Sequence, residues 1–226
     1  MPAPQNQAVV TNQTPDAPMK NLGFGFQVPD GWSVMRFPLY SRVPLAAGVA
    51  HTEVSTFIGT GVSGTIPRSD VDSNVTQARQ LPQNWYYSAH SMSVKFVPTA
   101  IATSIDTDYL GFANGIATLI IQNAKVCQMP IFSCGGMGGW SGIGQGVTGS
   151  GGTALLQNGN ASVDDVYRFP WEYGLSWPID GGAMFDVQLK WGIGGAGGTT
   201  TPYTPVNTVY AWVILDGFLA APPDSI

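Results

Sequence analysis

Between Trp85 and Phe96 the chain alternates with a period of two: Tyr86, Ser88, His90, Met92, Val94 and Phe96 fall on one face, Tyr87, Ala89, Ser91, Ser93 and Lys95 on the other. Side chains that change face at every step belong to a β-strand, since a helix would bring apolar residues back every three to four positions. Further strands are legible at residues 54–58, 116–122, 125–132, 172–177, 183–191 and 208–215. Phe24, Phe26 and Val28 alternate into Pro29-Asp30-Gly31 and are followed by Trp32 and Val34, which predicts a hairpin. The stretch from Leu119 to Val126 reads as two strands joined tightly at Asn123, a residue type that tolerates left-handed backbone angles.

Composition supports an all-β chain. With 29 Gly and 17 Pro, and with Lys and Glu scarce, the sequence suits short strands joined by turns and lacks the residues that build helices. Two segments, residues 135–159 and 192–205, are Gly-rich with no pattern that buries a face, and they read as long loops. Residues 1–21 carry four of the prolines and many amides and read as an extended arm. The expected organisation is therefore an N-terminal arm (1–21) and one antiparallel β-sandwich domain (22–226). Its long connections favour Greek-key or jelly-roll wiring over an up-and-down barrel.

Charge narrows the function. Only 10 % of residues are charged, against roughly 25 % in ordinary globular chains, which predicts a surface covered by neighbours in its working state. The net charge is −5 and no segment clusters Lys or Arg, so direct nucleic-acid binding is not expected. The start MPAPQNQAVV lacks the basic and apolar regions of a secretory signal. The apolar run at residues 209–215 stops at Asp216, far short of the ~20 residues of a spanning helix, so the chain is expected to be soluble or assembled.

Few residues suggest chemistry. The only histidines, His51 and His90, stand in no metal-binding spacing, and no GxSxG nucleophile elbow occurs. Residues 135–139 lack the Lys-Ser/Thr ending of a phosphate-binding loop. The two glutamates, Glu53 and Glu172, form the one candidate acid–base pair for a glycoside hydrolase, which would need them about 5 Å apart on facing strands. Trp140, Trp171, Trp177 and Trp191 are candidate sugar platforms, although buried or interface anchoring is the commoner use of Trp. Asp106 with Asp108, and Asp164 with Asp165, could ligate a hard cation, but paired aspartates more often cap their own turns. Cys127 and Cys134 lie close enough in sequence for a disulfide, with two free buried thiols the favoured reading. The chain is accordingly expected to have no catalytic, cofactor-binding or metal-ligating residues, and not to be an enzyme.

Three stretches together carry a resemblance: Gln80-Leu81-Pro82 leading to Trp85-Tyr86-Tyr87 and Ser91-Met92-Ser93-Val94; residues 119–132, a hairpin ending in Met129-Pro130-Ile131-Phe132 before a Gly-rich loop; and Leu175-Ser176-Trp177-Pro178-Ile179, then residues 185–189, then Val213-Ile214-Leu215-Asp216-Gly217. In order and pattern, over about residues 44–220, the chain resembles the jelly-roll major capsid proteins of tailless icosahedral bacterial and archaeal viruses with internal membranes. The resemblance implies a structural virion protein that self-assembles in the host cytoplasm into an icosahedral capsid. Its expected partners are copies of itself in trimeric or pseudo-hexameric capsomers, other capsid proteins, and a viral membrane beneath the shell. Many members of that lineage carry two jelly rolls in one chain; 226 residues suit one, or at most two very compact ones. The competing expectation is a receptor-binding, spike or lectin-like β-sandwich module.

Overall fold

The computed structural model describes residues 19–21, 27–58, 69, 71–99, 114–134, 140–143, 156–158, 167–168, 177–192 and 202–223. The arm through residue 18, Phe24 and Phe26, most of both Gly-rich loops, Glu172, Trp171 and the four candidate aspartates Asp106, Asp108, Asp164 and Asp165 lie outside the described residues.

The chain is an all-β, antiparallel sandwich. Its strands are β1 (Met19–Asn21), β2 (Gln27–Pro29), β3 (Ser33–Arg36), β4 (Leu39–Leu45), β5 (Glu53–Ser55), β6 (Tyr86–Pro98), β7 (Ile116–Ile121) and β8 (Ala124–Pro130), then β9 (Trp140–Ile143), β10 (Leu156–Asn158), β11 (Tyr167–Arg168), β12 (Trp177–Ile179), β13 (Phe185–Lys190) and β14 (Val209–Ala221). A short 3-10 turn, Ile131–Cys134, follows β8. The larger sheet centres on β6 and β14. On the far side of β6 lie β11 and β12, and on the far side of β14 lie β4 and then β3. The smaller sheet runs β5-β13-β7-β8, and two separate ribbons pair β1 with β2 and β9 with β10.

One apolar cluster draws on both sheets. Leu39, Val43 and Leu45 of β4, Val209, Ala211, Val213 and Leu215 of β14, and Tyr87, Ala89, Met92, Val94 and Phe96 of β6 pack with Ala117, Leu119 and Ile121 of β7 and Phe185, Val187 and Leu189 of β13. Each large side chain buried here contributes about 1.5–3 kcal/mol. At the margin between β4 and β5 the Ser41 hydroxyl donates to the Thr56 carbonyl, tying one sheet to the other.

The expected strand over residues 85–96 is β6, but its two faces are not the alternating sets predicted. The register against β14 runs Leu215↔Met92 and Asp216↔Ser91, then jumps to Gly217↔Ala89, leaving His90 without a counterpart. This β-bulge swaps the parity of the strand: Tyr87 and Ala89 face inward before it, Met92, Val94 and Phe96 after it. The register jump coincides with Gly217, where an added Cβ would lie 2.0 Å from the Ser88 carbonyl oxygen. Neither the bulge nor the close approach is visible in a pattern read from one strand.

Other expectations fare unevenly. The β7–β8 hairpin forms as predicted, with Gln122 and Asn123 at φ of 50° and 65° supplying the left-handed turn. The hairpin expected around Pro29-Asp30-Gly31 does not form: β2 pairs with β1, and β3 pairs with the end of β14. The turn itself is present, with the Trp32 amide donating to the Pro29 carbonyl at 3.2 Å, but β14 continues six residues beyond Leu215 and offers β3 a longer partner. Strand β4 was not anticipated, because Pro38 precedes it and Pro44 lies within it; Pro44 is tolerated because the amides two and four residues before it, Arg42 and Tyr40, point away from β14, so no bond to that strand is lost. Phe132, expected in a strand, lies in the 3-10 turn and is exposed.

Gly217→Ala is expected to lower the unfolding free energy by about 3 kcal/mol or more, because backbone, not a flexible side-chain end, occupies the space its Cβ needs. Gly48→Ala, at φ 71° with open space around it, should cost only about 1–2 kcal/mol. Denaturant melts of the two variants check the contrast.

Candidate functional site

On the outer face of the larger sheet aromatic and cationic side chains lie side by side. Along β14 the outward residues are Tyr210, Trp212, Ile214 and Asp216, all half-buried. Across the neighbouring strands Pro44 and Val97 flank Tyr210, Arg42 and Lys95 flank Trp212, and Tyr40 and Ser93 flank Ile214. The Arg42 guanidinium lies 4.6 Å from the Tyr210 ring centroid and 5.3 Å from that of Trp212, a cation–π geometry. Its Nε donates to Asp72 Oδ1 at 2.6 Å. The Ser69 amide, 2.8 Å from Asp72 Oδ2, is the main influence holding that carboxyl below its ordinary range, with Arg42 adding to it. Burial lowers the Lys95 ammonium. The result is a flat, ring-rich face whose charges are held by neighbours.

At the bulge, Ser88 Oγ lies 3.3 Å from His90 Nε2, and the His90 ring meets Phe218 edge-on at 5.2 Å. Burial lowers the His90 pKa and Asp216 opposes the shift. Serine, histidine and aspartate therefore gather here, but Ser88 is 1 % exposed, and Asp216 is engaged by the Arg36 guanidinium, with Nε at 3.1 Å. The arrangement staples β3 to β14 and leaves no route for a substrate to the hydroxyl.

The other singled-out residues are dispersed. Glu53 is paired with Lys190 Nζ at 2.8 Å on the outer face of the smaller sheet. Glu172 lies outside the described residues, so the glycosidase pair is not assembled by anything described. His51 exchanges both backbone hydrogen bonds with Tyr203 and its Nε2 is buried without a partner. Trp191 is a core residue, stacked on Tyr203 at 5.3 Å and against Phe96 at 6.3 Å. Trp177 packs on the core beside Ala89, and the Trp140 side chain lies outside the described residues. Among the described residues no three of His, Cys, Asp and Glu gather to hold a metal ion. Both cysteines are free thiols; Cys134 is buried, whereas Cys127 is partly exposed instead of buried as expected. Burial pushes the Cys134 thiol up to about 12.

One cluster went unnoticed in the sequence. Asp186 of β13 points away from the core yet is 4 % exposed. Its Oδ1 accepts the Thr56 and Phe57 amides, each at 3.2 Å, and its Oδ2 lies 3.4 Å from Arg79 Nε. Arg79 sits at φ 58° and donates through Nη2 to Ser55 Oγ at 2.8 Å. Burial raises the Asp186 pKa, which the hydrogen bonds and Arg79 only partly counter. No local signal announces this group, because residues 55–57, 79 and 186 meet only in three dimensions.

Set beside known proteins, the chain matches no family model, no curated protein and no solved structure.

Because the folded Asp186 carboxyl titrates above its unfolded value, the native state binds the extra proton, and stability falls as pH rises from about 4 through the raised value. Asp186→Asn should flatten that slope, and Arg79→Gln should destabilise by about 2 kcal/mol above it; melts across pH 4–8 measure both. At pH 8 the Cys134 thiol is held in its unreactive protonated form. Iodoacetamide should therefore label Cys127 in the native protein and Cys134 only after unfolding, as read by mass spectrometry.

Proposed function

We propose that this chain is a coat subunit: a single jelly roll that assembles with copies of itself, through trimeric or pseudo-hexameric capsomers, into an icosahedral virion shell. The observation that carries the reading is the strand order. Let β3/β4, β5, β6, β7, β8, β11/β12, β13 and β14 be positions one to eight along the chain. The larger sheet then holds positions 1, 8, 3 and 6, and the smaller one positions 2, 7, 4 and 5. Two nested Greek keys wrapped into a double sheet produce this interleaving, and viral capsid and lectin domains are its common users.

Surface chemistry favours the coat over the lectin. The charged fraction is 10 %, and Val49, Val71, Val97, Phe132, Met184, Val206 and Phe218 stand exposed on several strands and turns. Apolar residues spread over many sides suit burial by several neighbours in a closed shell. The lectin-like reading is favoured by one observation, the outward rings of Tyr40, Tyr210 and Trp212, and it predicts retention on an immobilised glycan that Trp212→Ala abolishes.

Gradient sedimentation of material from the native source, followed by electron microscopy, tests the proposal. Closed shells holding many copies of this chain are the expected result. A monomer or trimer that persists at high concentration would sink the coat reading and leave the glycan experiment to decide.

A further inference from the structure

At the end of the smaller sheet where the β7–β8 hairpin turns, a pocket of about 140 Å³ opens between Arg79, Asn123, Met184, Gln188 and the outward sides of Ile120 and Asp186, with Phe185 beneath. Cavities near 150 Å³ take a group of about six heavy atoms. Three features mark it as a built site. Asp186 is 4 % exposed, and its Oδ2 has no hydrogen-bond partner; Arg79 Nε, at 3.4 Å, is too distant to donate well. Arg79 is tethered at its other end, through Nη2 to Ser55, which holds the guanidinium beside the carboxylate at the pocket wall. Finally, Arg79, at the pocket wall, sits at φ 58°, a left-handed backbone conformation uncommon outside glycine.

We propose that this pocket binds a neutral carboxamide. A guanidinium and a carboxylate face it together, so an ion of either sign would meet a like charge and leave one wall group uncompensated. A primary amide meets both: its carbonyl accepts from Arg79 and its NH₂ donates to Asp186 Oδ2. Gln188 and Asn123 carry the same group and can exchange donor and acceptor with it. The apolar wall of Ile120, Phe185 and Met184 takes a short aliphatic stem. Two sources supply that chemistry, a free small amide or the Asn or Gln side chain of another copy of this chain. The site itself does not depend on the coat reading.

The test is saturation-transfer NMR on the intact chain with propionamide, propionate and propylammonium as probes. Propionamide should bind about tenfold more tightly than either ion, as expected when a wrong ligand leaves one buried polar group unpaired. Asp186→Asn should weaken it about tenfold. Asn123→Gly, which keeps the left-handed turn and so guards against misfolding, should weaken it several-fold. No transfer to propionamide, equal transfer to all three probes, preference for an ion, or binding unchanged in both variants would each overturn the proposal. Once binding is established, sedimentation with saturating propionamide assigns the source. Loss of assembly identifies a side chain of a neighbouring copy and unchanged sedimentation a free amide, and both results uphold the site.

Discussion

The pairing of β6 with β14 is the constraint on which the rest depends. The two strands run antiparallel from Val209↔Pro98 to Ala220↔Tyr86, and every other strand of the larger sheet hangs from one or the other. β6 and β14 lie far apart along the chain, so the sheet's centre forms only when both segments are available to each other. The pairing is long-range, which places the chain among slow-folding topologies. β4 takes its order from β14 along one side and from residues 72–74 along the other, where the Arg42 amide donates to the Asp72 carbonyl at 2.7 Å.

The bulge at His90 sets the local geometry that this pairing imposes. One extra residue on β6 lets Tyr87 and Met92 both face the core. The Tyr87 hydroxyl there donates to the Leu215 carbonyl at 2.7 Å, filling the place where the ladder is disrupted. On the other side of the same point the Phe37 amide donates to the Gly217 carbonyl at 3.0 Å, and Arg36 holds Asp216. The change of partner from β4 to β3 along β14 thus occurs where β14 already departs from regular pairing.

Sparse charge has a structural counterpart in how the existing charges are used. Arg42 lies over two aromatic rings and pairs with Asp72, Arg36 pairs with Asp216, Lys190 with Glu53, and Arg79 with Asp186. These pairs join strands or segments distant in sequence, so each fixes geometry, although the exposed ones add little stability. Much of what remains at the surface is neutral, which suits contact with further protein.

Several elements were legible because their causes are local. Strand-forming residue types and their immediate order depend only on neighbouring residues, and they located β6, β7, β8, β13 and the first part of β14; the Asn123 turn follows from the backbone preference of one residue. The candidate sites were less legible. The tryptophans singled out by type divide by their surroundings, with Trp191 in the core and Trp212, not singled out, on the outer face. Which strand lies beside which, the parity change at His90, the need for glycine at 217 and the meeting of Arg79 with Asp186 were decided only by tertiary structure. Each arises from groups brought within a few ångströms by long-range strand pairing, and no spacing along the chain encodes that distance. The sequence by itself determined the all-β character, the placement of most long strands and the shortage of charge, because these depend on residue type and immediate order alone.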